Sequence, residues 1–141
     1  LVGDGPEREN LEKLIRKLGL EKRILLIGFV EHENLVDVYN SADLFVFASS
    51  TETQGMVIPE AMSRGLPVLT IKDKVFAQFI EDNVGGFMVD KTKTIFAQKL
   101  ENILQDKDLR IRISKHARQK SLEFSLSEVA KKFEDLYKKL V

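Results

Sequence analysis

Two acids, Glu52 and Glu60, bracket a glycine in the run Thr51-Glu52-Thr53-Gln54-Gly55-Met56-Val57-Ile58-Pro59-Glu60-Ala61-Met62. Each carboxylate oxygen can accept a hydrogen bond from a sugar hydroxyl. A glycine lets the backbone approach a ligand closely, and the first amides of a helix are unpaired donors that suit a phosphate. With Gly55 opening a helix, a phosphate would sit on the amides of Gly55, Met56 and Val57. Glu60, about one turn further on, would then reach the hydroxyls of a ribose attached to that phosphate. Blander readings fit the same residues. Glu60 reads equally as an exposed helix acid, and Glu52 as a solvated loop acid or a partner of the helix dipole.

A second candidate is Gly3-Asp4-Gly5, where amides at a strand-to-helix turn could face an anion. The third glycine of a dinucleotide fingerprint is absent, since position 8 is Arg, and a tight βα turn explains the pair as well. The only histidines, His32 and His116, lie far apart without metal-ligand spacing, so no metal site is expected. His116 reads as an exposed helix residue, whereas His32 follows a strand's carboxyl end and could border a cleft.

These residues need elements to hold them. Leu1-Val2 reads as the end of a strand whose beginning is missing, so the chain is expected to be a piece of a longer protein. Pro6 suits a first helical position, Leu11, Leu14, Ile15 and Leu18 recur at helical spacing, and Gly19 suits the C-terminal cap. Ile24–Ile27 reads as a buried strand ended by Gly28, and residues 32–41 as a short helix. Leu44–Ala48 is the clearest buried strand, followed by a helix from Met56 or Val57 to Arg64 with Pro59 tolerated in its first turn. Leu66–Ile71 is the next strand, Val75–Ile80 a helix stopped before Gly85-Gly86, and Phe87–Val89 a brief strand. Helices follow over 93–106, 108–122 and 126–140, with Ser125 and Glu128 spaced as a capping box. Strands alternating with helices predict an α/β protein with a doubly wound parallel sheet in three layers and extra C-terminal helices. In such sheets ligands bind beyond the carboxyl ends of the strands, where the Glu52 loop falls.

The bulk composition narrows the function. The 141 residues form one domain, large enough for its own core. Lys and Arg number 22, as do Asp and Glu, so charge gives no reason to expect nucleic acid as a partner. No cysteine is present, which excludes a disulfide or catalytic thiol and suits the cytoplasm. No apolar run approaches the ~20 residues that span a bilayer, and the first residues do not resemble a signal peptide. The lysines near the end (131, 132, 138 and 139) read as a solvated helix face, with a contact to acidic lipid as the alternative.

Taken in order, the motifs resemble the C-terminal, donor-binding half of the retaining glycosyltransferases of family 4, which have two Rossmann-like domains (the GT-B fold). Gly3-Asp4-Gly5-Pro6 is similar to the family's glycine turn. Gly28-Phe29-Val30, Leu35, Tyr39, Ala42-Asp43-Leu44-Phe45-Val46 and Ser49-Ser50 resemble its middle block. Glu52 and Glu60, with seven residues between, resemble its paired glutamates, completed by Ala61-Met62 and Gly65-x-Pro67-Val68. Gly86-Phe87-Met88-Val89 is similar to the block after it.

The resemblance implies a nucleotide-sugar donor, UDP-linked in preference to GDP-linked, no metal or other cofactor, and transfer of a hexose to a lipid or polysaccharide with retention. It implies that Glu60 holds the ribose hydroxyls and Glu52, as the catalytic-site acid, contacts the donor sugar. Amides of Gly55, Met56 and Val57 would bind the diphosphate, Gly3 and Gly5 would leave room near the phosphates, and Phe29 and Val30 would flank the base. It also implies an N-terminal acceptor domain of the same protein as partner, absent here together with the family's upstream Arg and Lys. The isolated chain is therefore expected to be inactive. The full-length protein is expected in the cytoplasm, with peripheral association at the inner face of the membrane.

Two departures stand out. Thr53-Gln54 replaces the usual aromatic and resembles the form in glycosyltransferases that make glucosylated lipids. The family's Gly-Gly-x-x-Glu segment is not recognisable in Lys74-Val75-Phe76-Ala77-Gln78. The other readings are a sugar-nucleotide 2-epimerase, which the paired-glutamate block argues against, and a non-enzymatic receiver-like α/β module, for which Asp4 supplies only one of the needed acids.

Overall fold

A computed structural model describes residues 1–140. It contains two compact units, residues 1–38 and 39–141, each considered by itself.

In the first unit, α1 spans Arg8–Lys17. Its Ile15 is buried, while Leu11, Leu14 and Leu18 stay exposed. The helix closes as expected on Gly19, whose φ of 65° lets Leu20 N–H donate to the Ile15 carbonyl at 3.0 Å. Pro6 falls in the turn before α1 rather than in its first position. The expected buried strand at Ile24–Ile27 is not formed. Ile27 N–H donates to the Leu1 carbonyl, and a single parallel bridge joins Val2 to Gly28. Leu25 and Ile27 are exposed, at 66% and 53%, instead of buried.

α2, His32–Asn40, crosses the division between the units. The second unit then follows the α/β alternation: β1 Phe45–Phe47, α3 Val57–Ser63, β2 Val68–Ile71, β3 Glu81–Asp82, β4 Gly85–Val89, α4 Lys93–Gln105, α5 Lys107–Ser121 and α6 Leu126–Lys138. The strands form a parallel sheet in the order β1-β2-β4-β3, with Phe45 opposite Val68 and Val68 opposite Gly86.

Apolar layers cover both sheet faces, because successive strand residues point to opposite sides. Val68 packs with Ile58, Ala61 and Met62 of α3, Phe76, Phe79 and Ala117. Leu69 and Phe87 pack with Ile103 of α4 and Ile113 of α5. This is the three-layer arrangement the alternation predicts. The strand Leu44–Ala48 shortens to β1 and is half-buried, with Val46 exposed.

Val75–Ile80 does not form an α-helix but a 3₁₀ turn, Phe76–Gln78. Phe76, Phe79 and Ile80 are buried while Ala77 and Gln78 are exposed, as a helix face would have it, but the turn ends after Gln78 and the chain enters β3 at Glu81. β4 begins two residues earlier than expected, at Gly85. A Cβ on Gly86 would lie 2.7 Å from the Val68 carbonyl oxygen, so the glycine permits close approach to the neighbouring strand.

At the C-terminal end, Asp106 accepts from Leu109 N–H and caps α5, and Ser125 Oγ accepts from Glu128 N–H at 3.3 Å. The capping box is half formed, since Ser125 N–H donates to the Leu122 carbonyl instead of to Glu128. His116 is not the exposed residue expected. It is half-buried on α5, and its Nδ1 is buried without a hydrogen-bond partner.

Candidate functional site

The loop of residues 48–56 leaves the carboxyl end of β1 and enters α3. Gly55 fixes its shape. Its φ is 68°, in the left-handed region that glycine favours. A Cβ there would lie 3.1 Å from Val75 Cγ1, 3.2 Å from Phe79 Cε2 and 3.4 Å from Phe76 Cδ1. The loop thus rests directly on buried aromatics.

Glu52 closes the loop on itself. Its Oε1 accepts from the backbone N–H groups of Thr53 at 3.0 Å, Gln54 at 3.3 Å and Gly55 at 3.2 Å. Those three bonds, with Gly55's the largest influence, hold the carboxyl below its ordinary acid range. The expectation of a free Gly55 amide is therefore corrected: a nearby carboxylate satisfies it. Nor does Gly55 open the helix, because Met56 is the N-cap and Val57 the first helical residue.

Glu60 lies on α3 between the buried Pro59 and Ala61. Its Oε2 accepts from the Tyr39 hydroxyl at 3.1 Å. Burial first, then the Glu60 charge and the hydrogen bond to it, push the Tyr39 phenol far above its usual range, so Tyr39 stays a proton donor. This partner was visible in the sequence only as a helix-face residue and a member of the middle block. No spacing rule links position 39 to position 60.

Lys91, just past the carboxyl end of β4, also escaped the sequence reading. Its Nζ donates to Ser50 Oγ at 2.9 Å, placing a cation beside the Glu52 loop. A cavity of about 480 Å³ is lined by Lys72, Asp73, Lys74, Ala77, Asp82 and Met88.

The remaining candidates belong to the first unit. Gly3 has a φ of 113°, and a Cβ on Gly3 or Gly5 would meet nothing within 4 Å. Both line a cavity of about 290 Å³ with Asp4, Pro6 and Arg8. Asp4 Oδ1 accepts from Gly5 N–H at 2.9 Å and lies 3.8 Å from Arg8 Nη1. Phe29 is 73% exposed and Val30 half-buried, so an aromatic face is open to solvent. Among the described residues, no group of three or more His, Cys, Asp and Glu side chains could hold a metal ion. No helix there is long and apolar enough to cross a membrane.

Known proteins place these features in context. The model of the glycosyl transferases group 1 family matches residues 1–120. Over 141 residues the chain is 34% identical to the alpha-monoglucosyldiacylglycerol synthase of Acholeplasma laidlawii, covering all of this chain and 35% of that protein. Its structure is similar to the sucrose-phosphate synthase of Thermosynechococcus elongatus, with a TM-score of 0.87, 27% identity, and coverage of 99% of this chain and 37% of that one. It is also similar to HepE of Anabaena in complex with UDP, with a TM-score of 0.85, 26% identity, and coverage of 99% and 40%. The chain spans about a third of the length of the curated relatives it matches.

Proposed function

The chain belongs to the glycosyl transferases of group 1, and we propose that within this family it is the part that binds a nucleotide-diphospho-sugar donor. The observation that carries the proposal is the pair of acids at the carboxyl end of β1. Glu60 is pinned by one oxygen to Tyr39, and Glu52 is folded onto its own loop. Glu60 Oε1 is the acceptor for the ribose diol. Glu52 Oε2 is the acceptor offered to the transferred sugar.

The amides at the start of α3, Met56 and Val57, together with Lys91, face the diphosphate. Such groups stabilise the charge that develops on the leaving diphosphate without moving at the moment of transfer. Gly55 contributes backbone shape, with its amide committed to Glu52. The first unit, by itself, offers an open glycine turn at Gly3 and Gly5 and an exposed aromatic at Phe29 beside Val30.

UDP-glucose is the preferred donor and a diacylglycerol-type lipid the preferred acceptor, with retention at the anomeric carbon. Support comes from the similarity to a monoglucosyldiacylglycerol synthase and to a protein crystallised with UDP and glucose. The acceptor is held by a further domain of the same protein, and the 141 residues alone transfer nothing. The test supplies the intact protein with UDP-glucose, GDP-mannose and mixed lipid acceptors and analyses the product by NMR. An α-glucosyl lipid formed from UDP-glucose fits the proposal. A β-linked product, or turnover of GDP-mannose alone, refutes it.

A further inference from the structure

We propose that Tyr39 is the positioning residue of the ribose site: by holding Oε2 of Glu60 it leaves Oε1 as the single carboxylate oxygen facing the ligand, and so sets the preference for a ribonucleotide over a deoxyribonucleotide donor. The inference rests on the reading of Glu60 as the ribose acid.

Both partners sit on fixed supports. The Tyr39 ring meets Phe45 edge-to-face, with centroids 5.8 Å apart. Phe45 stacks on Phe47 at 5.9 Å, and Phe47 meets the wholly buried Phe76 at 5.7 Å. The phenol is therefore anchored through a row of aromatics into the core. On the other side, Glu60 N–H donates to the Met56 carbonyl at 3.1 Å, and the Glu60 carbonyl accepts from Ser63 Oγ at 2.7 Å.

A glutamate side chain otherwise rotates about its last torsion, which is broad and roughly two-fold, and offers either oxygen. Pinning one oxygen removes that freedom before the ligand arrives, and binding then loses less entropy. The phenol suits the task because it keeps its proton throughout the neutral range.

Calorimetric titration of the intact protein with UDP and with 2′,3′-dideoxy-UDP tests the inference. Tyr39→Phe keeps the ring and its contacts with Phe45, and its thermal midpoint is measured alongside. The expected result is UDP affinity lowered about 5–10-fold, somewhat less than a full hydrogen bond to a charged group, with dideoxy-UDP affinity within about twofold of wild type. Equal loss for both ligands, or an unchanged preference between them, overturns the positioning role.

Should Tyr39→Phe weaken the fold, the double variant with Glu60→Ala still decides. Tyr39→Phe then leaves UDP affinity unchanged if it acts only through Glu60, and any further loss marks a merely structural effect. Glu60→Ala alone tests the underlying reading. If it keeps the wild-type preference for UDP over dideoxy-UDP, the ribose assignment itself fails, a result distinct from a failure of Tyr39 alone.

Discussion

Replacing Gly55 by alanine separates two contributions to the shape of the donor loop. The first is backbone strain, since a φ of 68° costs a non-glycine residue about 1–2 kcal/mol. The second is crowding. The added methyl would sit 3.1 Å from Val75 Cγ1 and 3.2 Å from Phe79 Cε2, and overpacking of this kind costs about 1–2 kcal/mol. Together Gly55→Ala should destabilise by about 2–4 kcal/mol.

Two other glycines calibrate the sum. Gly19→Ala has nearly the same backbone, with a φ of 65°, and nothing within 4 Å of its added Cβ, so it carries strain alone and should cost about 1–2 kcal/mol. Gly5→Ala meets nothing and has no positive φ, so it should stay within about 0.5 kcal/mol of wild type. Thermal unfolding of the three variants in the intact protein is the assay, with hydrogen exchange of the Phe76–Ile80 amides as the local readout. If Gly55→Ala costs no more than Gly19→Ala, the loop does not rest on Val75 and Phe79. If it costs nothing, the left-handed backbone at Gly55 is wrong as well.

Other perturbations follow from the titrating and charged groups. The carboxyl of Glu52 is held below its ordinary range by three amides, so its stabilisation is present above that range and lost as pH falls through it. Stability curves of wild type and Glu52→Gln should therefore differ near neutrality and converge in acid. Tyr39 has the opposite sign: a phenol raised by burial and Glu60 stabilises fully below the usual tyrosine range and loses that contribution as pH climbs past about 10. Wild type should lose stability in alkali faster than Tyr39→Phe, as read by denaturant midpoints across pH. Lys91→Ala removes an exposed contact to Ser50, so stability should change by less than about 0.5 kcal/mol. UDP affinity should nonetheless fall, and more at low salt than at high salt.

Much of the second unit was legible because its rules are local. Apolar runs ended by glycine or polar residues gave β1, β2 and β4, and heptad-like apolar spacing gave α4 and α5. Pro59 in the first turn of α3 and Gly19 after α1 behaved as their backbone chemistry requires. Strand pairing was harder to read. Ile24–Ile27 looks like a core strand, yet burial depends on what lies alongside, and among the described residues isolated bridges, not a ladder, join this segment to Leu1–Gly3. Val75–Ile80 has helical spacing and buries Phe76, Phe79 and Ile80 on one side, yet only the 3₁₀ turn Phe76–Gln78 forms before β3 begins at Glu81, so apolar spacing alone did not give the length of the turn.

At the site, residue types pointed to Glu52, Gly55 and Glu60. What they could not reveal were the partners. Glu52 takes the Gly55 amide, Tyr39 reaches Glu60 from 21 residues upstream, and Lys91 reaches Ser50 across 41. The last two contacts are products of tertiary folding.

The central claim, that this part of a group 1 glycosyl transferase holds a nucleotide-sugar donor through Glu60, is tested most directly by titrating UDP and GDP into the intact protein and its Glu60→Ala variant. The account predicts UDP bound more tightly than GDP, and a loss of about 10-fold or more on removing the carboxylate, the scale of hydrogen bonds to a charged group. UDP bound equally well by wild type and Glu60→Ala, or no nucleotide bound at millimolar concentration, would contradict it.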